Sequence, residues 1–258
     1  MMPVLQAIRV RKRFAGVVAL DDLAITIEQG ELHGLVGANG AGKTTVLNVI
    51  DGQVAADDGI VRIAGRDVEK ISPWRRAELG LGRTFQDSRL WPDLSAEEHF
   101  RVAIDASRRI KGRSTGNYSV EDMCDAVEIP KTMLSRMPAQ IRLLDRRRVE
   151  LAMAALNASN LLLIDEIGAG LEIEEARTLY RLIAQLIDQR RVRAALLVEH
   201  KLELLADFAT QIELIESGQI SQRANCKETA QLADLMDRMF DRRSRAGVET
   251  LQGRRALQ

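Results

Sequence analysis

The chain has 258 residues and carries 37 Lys and Arg against 37 Asp and Glu, a formal net charge of zero. That balance gives no general attraction to nucleic acid or to an acidic membrane, and an aromatic content of 3% argues against a stacking platform for single strands. Two distant cysteines, Cys124 and Cys226, argue against a disulfide scaffold or a zinc site and fit a reducing, cytoplasmic setting.

The length suffices for one large α/β domain, or for a domain plus a lobe. No apolar run approaches the ~20 residues of a membrane span, and the segment MMPVLQAIRVRKRF has no secretory apolar region. A role at a membrane therefore requires docking onto another subunit.

In chain order, VLQAIRV (Val4 to Val10), LAITIE (Leu23 to Glu28) and GIVRIAG (Gly59 to Gly65) read as strands of an antiparallel skirt. Between them, ELHGLV (Glu31 to Val36) reads as a short buried strand entering GANGAGKTT (Gly37 to Thr45), and TTVLNVI (Thr44 to Ile50) as the helix leaving it. Gly37, four residues, then Gly42, Lys43 and Thr44 satisfy the P-loop pattern in full. Backbone N–H groups of Asn39, Gly40, Ala41, Gly42 and Thr45 are placed to surround one phosphate group, with the helix dipole behind them. Lys43 reaches the β- and γ-phosphates, and the Thr44 hydroxyl takes a place on Mg²⁺.

Ser72 and Pro73 open a short helix that Gly80 can end. From about 87 to 159 the chain reads as a helical insertion. Ser95 and Glu98 form a capping box for a helix through about Arg109. KGRSTGNY (Lys111 to Tyr118) is a loop, Ser119 opens a helix stopped near Pro130, and a longer helix runs from about Ala139 to Leu156. Strands return with LLLI (Leu161 to Ile164), AALLV (Ala194 to Val198) and IELI (Ile212 to Ile215). Helix Ile173 to Gln189 joins the first two into a βαβ unit with a parallel sheet. In the tail, Leu232, Leu235, Met236, Met239 and Phe240 share one face of a helix expected to pack back on the core.

LLLIDE (Leu161 to Glu166) supplies the second half of a nucleotide site. Asp165 is suited to hold Mg²⁺ through its water shell, and Glu166 to polarise an attacking water. Gln86 and His200 fall at strand ends. Gln86 is suited to orient water or touch Mg²⁺, and His200 to contact the γ-phosphate, although no spacing rule alone selects either.

Together these motifs resemble the ATPase subunit of ABC transporters over roughly Val4 to Gly218. Phe14 in KRFAG matches the aromatic that stacks on adenine, GANGAGKTT matches Walker A, Gln86 the Q-loop, LLLIDE Walker B with its catalytic Glu166, and His200 the switch histidine. The resemblance implies a P-loop NTPase core (1–220) with an antiparallel β subdomain and an inserted helical subdomain (about 87–159), followed by a helical tail (221–258). Its cofactors are ATP and Mg²⁺. GLGRTFQDSRLWPDLS (Gly80 to Ser95) is most similar to ATPases of branched-chain amino acid importers and close relatives, urea-type importers included. In that family this stretch helps form the groove for a coupling helix of the membrane subunit. Leu90 and Trp91 are then exposed anchors, or Trp91 packs within the helical lobe.

One motif departs from the family. The LSGGQ-type signature, which binds the γ-phosphate of ATP held by the other subunit, is replaced by Ile141, Arg142, Leu143, Leu144 and Asp145. Aligning Leu134, Ser135 and Gln140 instead needs a five-residue insertion and still lacks the glycines. Ile167 stands at a usual Pro, and Glu172 at a usual Asp or Asn. The resemblance thus implies a peripheral subunit on the cytoplasmic face of the cell membrane, bound to transmembrane permease subunits and paired with a second ABC ATPase that brings an intact signature. A passive ATP-holding subunit is the alternative. Soluble ABC proteins of translation or DNA repair fit less well, since neither a second cassette nor a long coiled coil or zinc hook is visible.

Overall fold

The computed structural model describes residues 2–109 and 119–239. The Lys111 to Tyr118 loop and Phe240 lie outside them. The strands are β1 (Leu5–Phe14), β2 (Val17–Ile27), β3 (Leu32–Val36), β4 (Asp58–Ile63), β5 (Arg66–Asp67), β6 (Leu81–Arg83), β7 (Leu161–Asp165), β8 (Ala194–Val198), β9 (Gln211–Glu216) and β10 (Gln219–Asn225). The helices are α1 (Lys43–Asp51), α2 (Pro73–Glu78), α3 (Ala96–Arg109), α4 (Val120–Ala126), α5 (Leu143–Asn157), α6 (Ile173–Asp188) and α7 (Leu202–Phe208), with α8 over 229–239.

Two sheets form. One is antiparallel, in the order β2-β1-β4-β5; the other runs β10-β9-β3-β8-β7-β6. In the second, β6, β7, β8, β3 and β9 are parallel neighbours, and only β10 turns back on β9. β3, β7 and β8 are buried along their whole length. Their alternate residues divide between two cores, as the two-residue period of a strand requires. Leu35, Leu161, Leu163, Leu196 and Val198 face the antiparallel sheet and α1. Val36, Leu162, Ile164, Ala195 and Leu197 face α6, α7 and the helical insert.

The capping box at Ser95 forms as read: its N–H donates to Glu98 Oε2 at 2.7 Å, and the Glu98 N–H returns to Ser95 Oγ at 3.3 Å. Ser119 and Asp122 make a second box for α4. Ser72 precedes α2 without a side-chain cap, so Pro73 alone sets that start.

The long insert helix starts later than expected. A single 3-10 turn occupies Pro138–Gln140, where Pro138 signals a start, but Ile141 is extended (φ −115°, ψ 152°) and α5 begins only at Leu143. α5 presses close against β6: a Cβ on Gly82 would sit 2.1 Å from the Ala154 carbonyl oxygen, so only glycine fits. Residues 221–225 also differ from a helical tail. They lie in β10, whose Ile220 and Ala224 bury apolar surface while the residues between them are partly exposed. Leu235 of α8 is fully buried, with Leu232, Met236 and Met239 packed around it, as their common face foretold.

Candidate nucleotide site

β3 delivers the chain into the loop Gly37 to Gly42, and α1 carries it away. Gly42 has φ 111°, and a Cβ there would lie 2.6 Å from the Ala19 carbonyl oxygen. This position demands glycine on conformation and on space. Ala38, Asn39 and Gly40 form an exposed tip, Thr44 is exposed and Thr45 half-buried. The loop is pinned from behind, where the Gly218 N–H donates to the Ala41 carbonyl at 2.9 Å and the Asp21 N–H to the Gly218 carbonyl at 3.0 Å. Lys43 is buried and folds back on the loop, donating to the carbonyls of Gly37 at 2.9 Å and Ala38 at 3.0 Å. Burial pulls its pKa below the usual lysine value, against the pull of Glu166, Asp165 and Glu199. An ammonium held by neutral carbonyls beside three carboxylates is poised to exchange those carbonyls for a polyphosphate.

β7 ends at Asp165, which is buried, with Arg83 Nη2 3.6 Å away. Burial raises the Asp165 pKa, and Arg83, which also grips Asp51 at 2.8 Å, opposes the rise. Glu166 comes next in a left-handed conformation, φ 45°. Its N–H still donates to the Val198 carbonyl at 3.1 Å, extending the β7–β8 ladder, while its own carbonyl accepts the Ala169 N–H at 2.9 Å. The side chain is thereby turned toward two residues far away in sequence. Gln86 Nε2 donates to Glu166 Oε2 at 3.0 Å, and His200 Nε2 lies 2.5 Å from Glu166 Oε1. The fold therefore joins Gln86, Glu166 and His200 into one cluster beside Asp165.

Sequence reasoning passed over Glu199, which lies beneath this cluster. It is buried, accepts the Tyr180 hydroxyl on Oε2, and takes the N–H groups of His200 at 2.7 Å and Lys201 at 3.2 Å on Oε1. Burial, with the Glu199 charge beside it, pushes the Tyr180 phenol far above its ordinary pKa, so it remains a donor. A carboxylate ending an apolar strand next to His200 was the available signal, the same one that selected Asp165.

Phe14 ends β1 and is 45% exposed, with the Lys12 ammonium 5.3 Å from its ring centroid. An aromatic face already favoured by a cation and open to solvent is available for stacking.

A cleft of about 410 Å³ lies where β6, α2 and α5 meet, lined among others by Phe85, Arg89, Leu90, Trp91 and Met153. Trp91 is neither enclosed nor free. It is 50% exposed and stacks on buried His99 with centroids 5.5 Å apart. The Trp91 backbone N–H donates to His99 Nε2 at 2.9 Å, which places the imidazole proton on Nδ1, 2.8 Å from the Ser95 carbonyl. At the start of α5, Leu144 and Asp145 are buried, and Asp145 lies between Arg142 at 3.6 Å and Arg148 at 3.4 Å.

A glycine loop between a central strand and a helix, facing a strand-end Asp–Glu pair, defines a P-loop nucleotide-binding cassette. The family model described as ABC transporter matches residues 20–169, more than half of the sequence. The chain belongs to the ABC transporter family. It is 28% identical over 231 residues to the high-affinity branched-chain amino acid transport ATP-binding protein BraF of Pseudomonas aeruginosa, covering 84% of this chain and 89% of that protein. It is 29% identical over 234 residues to the ribose import ATP-binding protein RbsA 1 of Rubrobacter xylanophilus, covering 87% of this chain and 45% of that protein. The chain spans about half the length of the ribose-import relatives it matches. Among solved structures it resembles MJ1267, an ATP-binding cassette of an ABC transporter, with a TM-score of 0.80, 21% identity and coverage of 93% and 99%. It also resembles dimeric MJ0796, a bacterial ABC transporter cassette, with a TM-score of 0.73, 22% identity and coverage of 86% and 98%. Among the described residues no helix is long and apolar enough to cross a membrane.

Proposed function

We propose that this chain is the ATP-hydrolysing subunit of an importer for a small solute, acting as one half of an asymmetric pair of cassettes. The observation that carries the reading is the convergence of Gln86, Glu166 and His200 beside Asp165 and the P-loop. Three residues separated by 80 and 34 positions meet where a γ-phosphate held by Lys43 would end.

ATP enters as its phosphates replace the Gly37 and Ala38 carbonyls on Lys43, while the loop N–H groups and the α1 N-terminus take the remaining oxygens. Phe14 stacks on the base. The donor set offered to a cation is the Thr44 hydroxyl, the Asp165 carboxylate and the Gln86 amide oxygen. Among the described residues no group of three or more His, Cys, Asp and Glu could hold a metal by itself. One protein carboxylate with neutral oxygens suits Mg²⁺, which keeps several waters and arrives with its phosphates. Bound there, Mg²⁺ would supply neutralisation of the phosphate charge during transfer. Glu166 then orients and polarises the attacking water. For that it must exchange its bonds to Gln86 and His200, so that His200 turns to the γ-phosphate. Transfer to water needs positioning and electrostatics rather than a covalent intermediate.

The pairing proposal rests on the α5 N-terminus. Leu143, half-buried at that terminus, stands where close backbone approach to a partner's phosphate would need glycine, and Arg142 stands where the signature has its serine hydroxyl. A partner with an intact signature would complete the site on this chain, and the second site would turn over slowly. The passive, ATP-holding subunit is the alternative, favoured by the same substitutions and opposed by the intact Glu166–His200 pair. The likeness to BraF and to RbsA 1 supports an amino acid or sugar as cargo, with specificity in the permease and binding-protein subunits. Leu90 and Trp91, on the rim of the cleft, are assigned to docking of the permease, which would hold the subunit at the cytoplasmic face of the membrane.

The test is MgATP turnover by the assembled transporter carrying Glu166→Gln in this chain. Loss of turnover at this site with retained ATP supports an ATPase subunit. Unchanged overall turnover supports the passive reading.

A further inference from the structure

The β6–β7 ladder makes its last bond from the Thr84 N–H to the Leu163 carbonyl at 2.9 Å, and Gln86 to Arg89 beyond it are exposed. Yet Gln86 reaches Glu166 at 3.0 Å. The hold comes from α5. The Arg147 side chain is only 6% exposed; its Nη2 donates to the Gln86 carbonyl at 2.7 Å and its Nη1 to the Phe85 carbonyl at 3.4 Å. Nη1 also meets Glu150 Oε2 at 3.0 Å, and Glu150 Oε1 accepts the Arg89 N–H at 3.0 Å. Arg147 and Glu150 stand three residues apart on one face of α5, so a single ion pair grips the loop at both ends. Between these ends the Phe85 ring is flanked by the guanidinium groups of Arg89 at 3.5 Å and Arg83 at 4.9 Å. The buried Arg147 Nε has no hydrogen-bond partner. The guanidinium is therefore oriented by its loop contacts at the expense of its third edge, which a charge buried merely for its own satisfaction would not do.

We infer that Arg147 is a positioning residue for Gln86, and that Arg147 and Glu150 form a clamp that fixes the Phe85 to Arg89 loop to one face of α5. This rests on the proposed function for the role of Gln86, but not for the clamp itself. A planar fork is needed: a lysine ammonium can hold either the Gln86 carbonyl or Glu150 with good geometry, not both carbonyls and the carboxylate together.

The experiment uses the full chain and the variants Arg147→Met and Arg147→Lys. It reads amide hydrogen exchange over 84–90 without nucleotide, and ATP affinity with Mg²⁺ and with EDTA. Arg147→Met frees Glu150 and is expected to speed exchange of the Arg89 N–H, which Glu150 accepts, by about tenfold or more, the factor that bonds to a charged group carry. It should leave ATP affinity in EDTA unchanged, because Lys43 is untouched, and lose most of the gain that Mg²⁺ gives. Arg147→Lys should recover part of both effects. If Arg147→Met does not fold, Arg147→Lys reads the same quantities to a smaller degree. Parental exchange in the variants overturns the clamp. Faster exchange with the Mg²⁺ gain intact overturns the positioning role and leaves only a structural one. A parental chain that binds ATP no better with Mg²⁺ than without it contradicts the functional reading itself, and the assignment to Gln86 falls with it.

Discussion

Glu166 holds φ at 45°, a conformation that costs a non-glycine residue of order 1 kcal/mol or more. The strain falls on the one carboxylate that meets both Gln86 and His200, and the ladder bond from its N–H to the Val198 carbonyl sustains it. Glutamine keeps the shape and a hydrogen-bonding capacity but cannot take a proton from water. Glu166→Gln should therefore bind ATP within about twofold of the parent, and turnover at this site in the assembled pair should fall by roughly 10²-fold or more, the usual weight of a general base. Equilibrium binding and single-site turnover check both halves. Lys43→Ala acts on the other side of the same site and should weaken ATP binding by about 10- to 100-fold, as loss of a charged hydrogen bond predicts, measured by titration with a fluorescent ATP analogue.

His33 offers a test of stability at the same scale. Its imidazole is fully buried, with Nε2 3.5 Å from Glu213 and Nδ1 3.9 Å from Glu31. Burial works against its charge, but the nearby carboxylates of Glu213 and Glu31 outweigh burial and raise its pKa above the ordinary value. Glu213 is itself held by Arg223 at 2.7 Å. A raised pKa means that the folded chain binds the proton more tightly than the unfolded chain. The contribution is complete below the unfolded value of about 6.5 and is lost as pH rises through the folded value. Urea midpoints should fall from about pH 6 to pH 9, and His33→Gln should flatten that slope. An unchanged slope would remove His33 from the account.

At the scale of elements, α5 links the insert to the sheet. Leu143 and Leu144 fill its first turn where close backbone approach to phosphate would need glycine. Replacing Ile141, Arg142, Leu143, Leu144 and Asp145 by Leu, Ser, Gly, Gly and Gln should let two copies of this chain complete each other's sites. The expected gain is MgATP turnover by the chain alone. The cost is about 1 kcal/mol per glycine in helix stability, visible as a lower melting temperature. Absence of any gain would place the block elsewhere than the signature. The periodic elements were legible from residues alone: β3, β7 and β8 as apolar runs, α6 by its helical face, α3 and α4 by their caps. β6 showed only as the strand end before Gln86, without bounds, because three residues with a central Gly82 carry no period and are specified by contact with β7 and α5. β10 hid behind polar alternation at a sheet edge, where only one side needs to be apolar. Within the site, the P-loop and the Asp165–Glu166 pair were readable because they are contiguous. Gln86 and His200 were given their roles by resemblance, and Glu199 and Arg147 were missed, because Arg147 takes its meaning from partners 61 and 62 positions away and Glu199 from Tyr180, 19 positions away.

At the scale of the whole molecule, the two cores place the antiparallel sheet, the parallel sheet and the helical insert around one strand-end site, with the cleft on the side of β6 and α2. Trp91, stacked on His99 at the cleft rim, joins that surface to α3. Trp91→Ala should leave ATP binding by the isolated chain intact and weaken its association with permease subunits by about tenfold or more, the effect of removing an aromatic anchor, measured by co-purification from detergent. The most direct test of the account is steady-state MgATP binding and hydrolysis by the purified chain alone, with Glu166→Gln beside it. If Ile141 to Asp145 cannot serve as a signature, as the account proposes, both proteins should bind MgATP tightly and neither should turn it over above background. Ordinary turnover by the parent that disappears in Glu166→Gln would contradict it, by showing that Ile141 to Asp145 complete the site without a partner.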